Sequence, residues 1–188
     1  MELVVGNINQ LSKYQKIELF KYRHDIFVKK LGWELNTPDN IEVDQFDNED
    51  SVYVIAKKYE EIVGCARLLP TTRPYLLEEV FPELLNGLQP PKSEEIWEVS
   101  RFTNSYLSNG VNNPDQIGGV EFGGFLKEVM RVAKREGAKK LISVSPIGIE
   151  RLLRKSNIKA HRAGKPMIVN GHSILACWID IDQLDEQD

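Results

Sequence analysis

The sequence predicts an α+β fold in which helices cover the faces of a mostly antiparallel sheet. Three observations carry this reading. Short strand-like runs alternate with helical stretches along the whole chain. Two of those runs, residues 51–57 and 61–69, alternate in hydropathy around Lys58-Tyr59-Glu60, as the arms of a hairpin do. A length of 188 residues, 41% of them hydrophobic and 28% charged, suits one globular domain, residues 1–188, with an acidic tail from about residue 180. A chain of this size buries roughly 70% of its unfolded surface, enough for its own core.

The elements follow in order. Residues 3–8 read as a short strand. Ser12 can cap a helix in which Ile17, Phe20, His24 and Phe27 fall near one stripe. Gly32 and Thr37-Pro38-Asp39-Asn40 break that pattern, and an acidic loop runs on to Asp50. After the hairpin, residues 76–85 form a short helical stretch and Pro90-Pro91 a rigid connector. Residues 95–102 read as a strand, 120–135 as an amphipathic helix and 140–145 as another apolar strand. A helix from about 147 to 155 and strands near 167–169 and 173–181 complete the order. No internal repeat or low-complexity tract interrupts it.

Composition excludes several function classes. Lys+Arg 24 against Asp+Glu 28 leaves a net charge of −4, so a protein that coats nucleic acid is not expected. Cys65 and Cys177 sit in apolar runs and read as reduced core residues. No window approaches 18 apolar residues, and the N-terminus lacks the basic and apolar regions of a signal peptide, so the cytoplasm and no membrane partner are expected. There is no Walker-type phosphate loop and no Gly-x-Ser-x-Gly turn. His24, His161 and His172 stand at no metal-ligand spacing, and no metal site is expected. Charge is unevenly spread: residues 34–60 hold eight acids and two bases, residues 127–162 eleven bases and three acids.

Four clusters carry candidate chemistry. Arg23, Phe27 and Trp33 follow one helix into a loop, which suits either core aromatics at a helix end or a cation–π wall for a ligand. Asp44-Gln45-Phe46-Asp47 suits either solvated carboxylates or a pocket for an ammonium or sulfonium group. Arg67 lies within the apolar run Gly64-Cys65-Ala66-Arg67-Leu68-Leu69-Pro70, where a buried guanidinium needs a carboxylate partner. In Trp97-Glu98-Val99-Ser100-Arg101-Phe102, strict alternation puts Glu98 and Arg101 on opposite faces. If both serve one site, the strand carries a bulge between them.

These clusters, in this order and spacing, resemble the LuxI-type acyl-homoserine-lactone synthases, the autoinducer synthases of bacterial quorum sensing. Arg23, Phe27, Trp33, Asp44, Asp47, Arg67, Glu98 and Arg101 match the family's motif positions over 79 residues. Gly32-Trp33-Glu34-Leu35, Ala66-Arg67-Leu68-Leu69-Pro70-Thr71-Thr72, Glu150-Arg151-Leu152-Leu153 and His161-Arg162-Ala163-Gly164 extend the likeness nearly to the tail. The resemblance implies a GNAT-like three-layer α/β/α fold, with a twisted sheet splayed at its centre to admit a pantetheine arm. It implies S-adenosylmethionine as a substrate, no prosthetic group, and a fatty acyl chain delivered by acyl carrier protein. The products are an N-acyl-homoserine lactone, 5′-methylthioadenosine and free carrier.

The family positions also imply roles. Glu98 is the candidate base, with the alternative that it only pairs with Arg67 or Arg101. Arg101 shares the catalytic pair and, with Arg23, suits a carboxylate. Asp44 and Asp47 would hold the ammonium or sulfonium, Phe27, Trp33 and Phe102 would enclose the cosubstrate, and Arg67 would organise the acids. Backbone amides of residues 100–103 are the region for the thioester oxyanion. The acyl pocket falls to Val99, Ser100, Leu141, Ser143, Val144, Ile149, Leu152 and Leu153, with Met130 and Trp178 behind. Lys139, Lys140, Arg151, Arg154 and Lys155 would dock an acidic carrier. Gln116-x-x-Gly119-x-Glu121 is a degenerate match to the phosphate loop of coenzyme A users, which favours the carrier protein. Two other readings stay open: a GNAT N-acyltransferase using an acyl-coenzyme A and a different amine, and a non-catalytic module that binds S-adenosylmethionine or an acyl lipid.

Overall fold

The computed structural model describes residues 1–104 and 119–184. The phosphate-loop comparison at Gln116, Gly119 and Glu121 therefore lies outside the described side chains, as does most of the acidic tail. Strands β1 (Glu2–Asn7), β2 (Val52–Lys58), β3 (Glu61–Pro70), β4 (Ile96–Asn104), β5 (Lys140–Pro146), β6 (Ala160–Arg162), β7 (Met167–Val169) and β8 (His172–Asp180) form one mixed sheet. Its order is β1-β2-β3-β4-β5-β8-β6, with β7 also on β8. The β4–β5 pair is parallel and the others are antiparallel. The three-residue β6 was not foreseen.

Both faces are covered, which is why the central strands read as nearly continuous apolar runs. Val54, Ala56, Ala66 and Leu68 pack with Phe122, Phe125, Leu126, Val129 and Met130 of helix α3, whose bounds are Gly119–Arg135. Helix α4 (Ile149–Lys155) lies on the same side, and an added Cβ on Gly123 would stand 2.6 Å from Cβ of Ser156 just beyond it. On the other face Tyr53, Ile55 and Cys65 pack with Leu19 of helix α1 (Lys13–Arg23). Leu77 of helix α2 (Leu76–Glu79) joins Leu69 and Ile142 there. Phe81-Pro82 divides the expected 76–85 stretch into α2 and a 3-10 turn, Pro82–Leu85.

Ser12 caps α1 through a capping box: its hydroxyl accepts from the Gln15 amide at 3.2 Å, and the Gln15 side chain accepts from the Ser12 amide at 2.8 Å. The helix then widens into a π-helical segment, His24–Lys30. The buried stripe is Leu19, Arg23, His24, Ile26 and Phe27, while Ile17, expected within it, is exposed. Burial of a guanidinium at Arg23 turns the helix away from the orientation that hydropathy alone suggests.

Two irregularities of β4 shape the site. Arg67 pairs with Ser100 and Cys65 with Thr103, so Arg101 and Phe102 together oppose Ala66. Arg101 has φ 52°, and its carbonyl accepts from the Cys65 thiol at 3.3 Å. The expected bulge exists, at Arg101 itself rather than between Glu98 and Arg101. The β4–β5 pairing runs from Ile96↔Lys140 to Val99↔Ser143 and stops, although both strands continue. The two strands thus splay apart beyond Val99. No helix among the described residues is long and apolar enough to cross a membrane.

Candidate active site

Three arginines and three carboxylates from α1, the loop after it, β3 and β4 meet on the α1 face of the sheet. Arg23 donates from Nε to Glu42 at 2.5 Å and from its two Nη atoms to Asp47 at 2.7 and 2.9 Å. Arg67 donates from Nε to Ser100 at 3.1 Å and from its Nη atoms to Asp44 at 2.5 and 3.1 Å, with Asp47 3.0 Å away. Arg101 donates from Nε and Nη2 to Glu42 at 3.1 and 2.9 Å and from Nη2 to Asp44 at 2.7 Å. Its Nη1 bonds to no group among the described residues.

Charge within this cluster sums to zero. Burial opposes ionisation of Asp47, but Arg23 and Arg67 outweigh it and hold its carboxyl far below the usual carboxylate range. Burial likewise opposes ionisation of Glu42, and Arg23 and Arg101 overcome it to lower that carboxyl too. Asp47 also accepts from the Tyr53 hydroxyl at 3.0 Å and the Asp44 amide at 2.9 Å. These contacts revise the sequence reading. Asp47 is fully buried and occupied by two arginines, and Arg23 is 1% exposed with all three nitrogens bonded to carboxylates, so both side chains are turned to the protein rather than to a ligand. Asp44 retains 16% exposure. The acids neutralise arginines rather than line an anionic wall.

Glu42 and Tyr53 were missed. Three carboxylates, Asp44, Asp47 and Glu98, had been matched with the arginines, but Glu98 accepts from backbone amides, and Glu42, one of eight acids between residues 34 and 60, takes the third place.

The aromatic pair stands beside Arg101. Phe27, carried by the π-helical segment, stacks on Trp33 with ring centroids 4.7 Å apart and planes at 29°. The Arg101 guanidinium carbon lies 5.7 Å from the Phe27 centroid and 5.8 Å from that of Trp33. The Trp33 amide donates to the Phe27 carbonyl at 2.9 Å, and His24 Nδ1 meets the Thr37 hydroxyl at 3.0 Å, which ties the loop to the helix. Phe102 does not join them. Its ring packs 5.2 and 5.3 Å from Phe122 and Phe125, because the bulge turns Arg101 to the α1 face and leaves Phe102 on the α3 face.

Glu98 sits apart from the ion cluster, fully buried and opposite Leu69. Its two oxygens accept from the backbone amides of Leu77 at 2.7 Å and Leu76 at 3.1 Å, the first turn of α2. It makes no ion pair with Arg67 or Arg101. Burial pushes its carboxyl up to about 7, against the lowering influence of those amides and both arginines.

The expected acyl-pocket residues divide between the two faces. Val99, Leu141, Leu153, Ile149 and Leu152 gather with Met130 on the α3 face, and Ser143 stands on that face of β5 beside Ser145, hydroxyls 3.3 Å apart. Val144 and Trp178 belong to the opposite cluster, because alternation on β5 sends Ile142 and Val144 the other way, and Ser100 is bonded to Arg67. A cleft of about 290 Å³ lined by Ala56, Lys58, Val63 and Phe125 touches none of the expected site residues. Of the docking candidates, Arg151, Arg154 and Lys155 are exposed on α4. Lys139 pairs with Glu95 at 2.5 Å, and Lys140 lies 3.5 Å from Asp180 and 5.1 Å from the Trp178 ring centroid.

Comparison with known proteins supplies the rest. The family model described as autoinducer synthase matches residues 7–188. An acyl-homoserine-lactone synthase of Acinetobacter nosocomialis is 48% identical over 189 residues, covering 96% of this chain and 100% of the relative. TofI, solved in a ternary complex with an inhibitor and MTA, superposes with a TM-score of 0.84 at 41% identity, over 96% of this chain and 92% of that one. BjaI, described as a CoA-dependent acyl-homoserine lactone synthase and solved with SAM and isopentyl-CoA, gives a TM-score of 0.83 at 28% identity, over 98% and 86%. An acyl-CoA N-acyltransferase from Pseudomonas aeruginosa, 11% identical with a TM-score of 0.58, shares the GNAT-like fold alone.

Proposed function

The chain belongs to the autoinducer synthase family and is an acyltransferase of the acyl-homoserine-lactone synthase class, and from this premise we propose its substrates and the division of labour in its site. The amine substrate is S-adenosylmethionine, and the acyl donor is an acyl chain on acyl carrier protein. The observation that carries the first assignment is Arg101. Its guanidinium is fixed by two carboxylates and flanked by Phe27 and Trp33, yet Nη1 remains unbonded among the described residues. A donor so placed suits the methionyl carboxylate, and the adjacent π faces suit a sulfonium.

Chemistry proceeds in two steps. Glu98, directly or through water, takes a proton from the α-ammonium of S-adenosylmethionine, and the freed amine attacks the thioester carbonyl. The C–S bond of the thioester breaks, the carrier thiol leaves with the second amine proton, and an amide remains. The methionyl carboxylate oxygen then attacks its own γ-carbon, the carbon–sulfonium bond breaks, and 5′-methylthioadenosine departs as a neutral thioether. Arg101 holds that carboxylate in line. Acyl chains fit the apolar α3 face, entered through the gap between β4 and β5 beyond Val99.

Support for the carrier protein comes from charge. The α4 surface exposes Arg151, Arg154 and Lys155, with Lys159 just beyond, and carrier proteins are strongly acidic. Coenzyme A is the competing donor, since BjaI and a second similar structure, MesI, are described as CoA-dependent. Purified protein given S-adenosylmethionine with either acyl carrier protein or coenzyme A thioesters separates them. Mass spectrometry is expected to find acyl-homoserine lactone and methylthioadenosine with the carrier thioester. Turnover with coenzyme A thioesters alone overturns the donor assignment, and turnover with neither overturns the reading.

A further inference from the structure

We propose that Glu42 is a positioning residue whose function is to present Arg101 Nη1 to the substrate carboxylate. This deepens the reading of Arg101 given above and rests on it.

The three guanidinium groups of the cluster differ in one respect. All three nitrogens of Arg23 and of Arg67 are hydrogen-bonded within the protein, whereas Arg101 is bonded through Nε and Nη2 only. The group that occupies the Nε–Nη2 edge of Arg101 is Glu42. Its Oε1 accepts from Nη2 at 2.9 Å and from Nε at 3.2 Å, and its Oε2 from Nε at 3.1 Å. A guanidinium is planar and its donors form a rigid fork, so filling one edge fixes where the remaining nitrogen points. With that edge filled, the unbonded Nη1 is the nitrogen left for a ligand.

Glu42 is itself held from behind. Oε2 also accepts from Arg23 Nε at 2.5 Å, the Glu42 amide donates to the Phe20 carbonyl at 3.1 Å, and the side chain is 2% exposed. Arg101 is constrained from its backbone as well, where the left-handed conformation at φ 52° brings its carbonyl against the Cys65 thiol. Asp44 restrains Arg101 through Nη2 alone. A single contact at one nitrogen leaves the fork free to rotate, so Glu42 is the residue that sets its orientation.

The test compares two ligands on one variant. In E42Q the side chain keeps its shape but loses charge and one acceptor. Calorimetry is expected to show S-adenosylmethionine binding at least tenfold weaker to E42Q than to the unaltered protein. Decarboxylated S-adenosylmethionine, which lacks the group that Arg101 holds, is expected to bind both proteins alike. A merely structural Glu42 would weaken both ligands together, and that result overturns the inference, as does unchanged affinity for both. Failure of the unaltered protein to bind S-adenosylmethionine overturns the underlying reading instead. Where E42Q does not fold, E42D retains the charge with a shorter reach and is expected to show the same selective loss, reduced in size; equal effects on the two ligands there count against the inference.

Discussion

Two buried acidic centres share one face of the sheet and solve the cost of burial in opposite ways. In the cluster around Arg23, Arg67 and Arg101, every carboxylate meets at least two arginines, and Asp47 and Glu42 are held ionised by those charges. At Glu98 the only direct partners among the described residues are two amides of α2, burial dominates, and the carboxyl rises to about 7. The first arrangement makes scaffolding in which Asp47 and Glu42 keep their charge. The second makes a group able to give and take a proton there, which is the requirement for a base. Position in a family motif does not distinguish the two; the partners do.

The comparison is tested most severely at Glu98. Glu98→Gln is expected to reduce turnover by roughly 10²–10⁴-fold while leaving S-adenosylmethionine affinity near its original value; near-normal turnover would return Glu98 to a purely structural role. A pH dependence follows with a definite sign. The folded-state pKa is raised above the unfolded value of 4.5, so the neutral form favours folding, and stability falls as pH climbs from 4.5 to about 7. The size is about 3 kcal/mol, at about 1.4 kcal/mol per unit. Urea titrations across that window should show this slope in the parent and lack it in E98Q.

Next in size is Asp47→Asn, which leaves two buried arginines short of a counter-charge and is expected to lower stability by about 3–5 kcal/mol in urea unfolding. The sign of its pH linkage is opposite. A carboxyl lowered from 3.8 contributes stability above that value and loses it as acid protonates the folded form. An unmoved unfolding midpoint at pH 7 would remove the distinction between the centres. Charge reversal of Arg151 and Arg154 together is expected to raise KM for acyl carrier protein severalfold with KM for S-adenosylmethionine unchanged, because these exposed residues lie outside both centres. The smallest effect is expected at an exposed pair. Lys139→Ala breaks a contact with Glu95 whose partners are 66% and 57% exposed, and should leave the urea unfolding midpoint essentially unmoved, the contrast that exposure predicts.

Much of the fold was legible. Period-two alternation located the β2–β3 hairpin and β4, and Ser12 marked the start of α1. The site was legible as a set of residues but not as a set of contacts. Which carboxylate answers which arginine depends on neighbouring strands and on a loop folded against α1, so Glu42 went unseen and Asp47 was assigned to a ligand. Side-chain direction at Phe102 was unreadable for the same reason, since a single extra residue on β4 reverses the alternation beyond it. The sequence also offered no mark for the widened turn after Arg23, where burial of charge rather than hydropathy governs the helix.

That widened turn makes spacing itself a constraint. Each residue of an α-helix advances about 100° around the axis. Deleting one residue between Arg23 and Phe27 would let the helix tighten and would turn the Phe27 ring to a new bearing relative to Arg23. Trp33 would lose its stacking ring although no functional group had been removed. In this stretch, insertions and deletions are expected to be less forgivable than exchanges of one side chain for another.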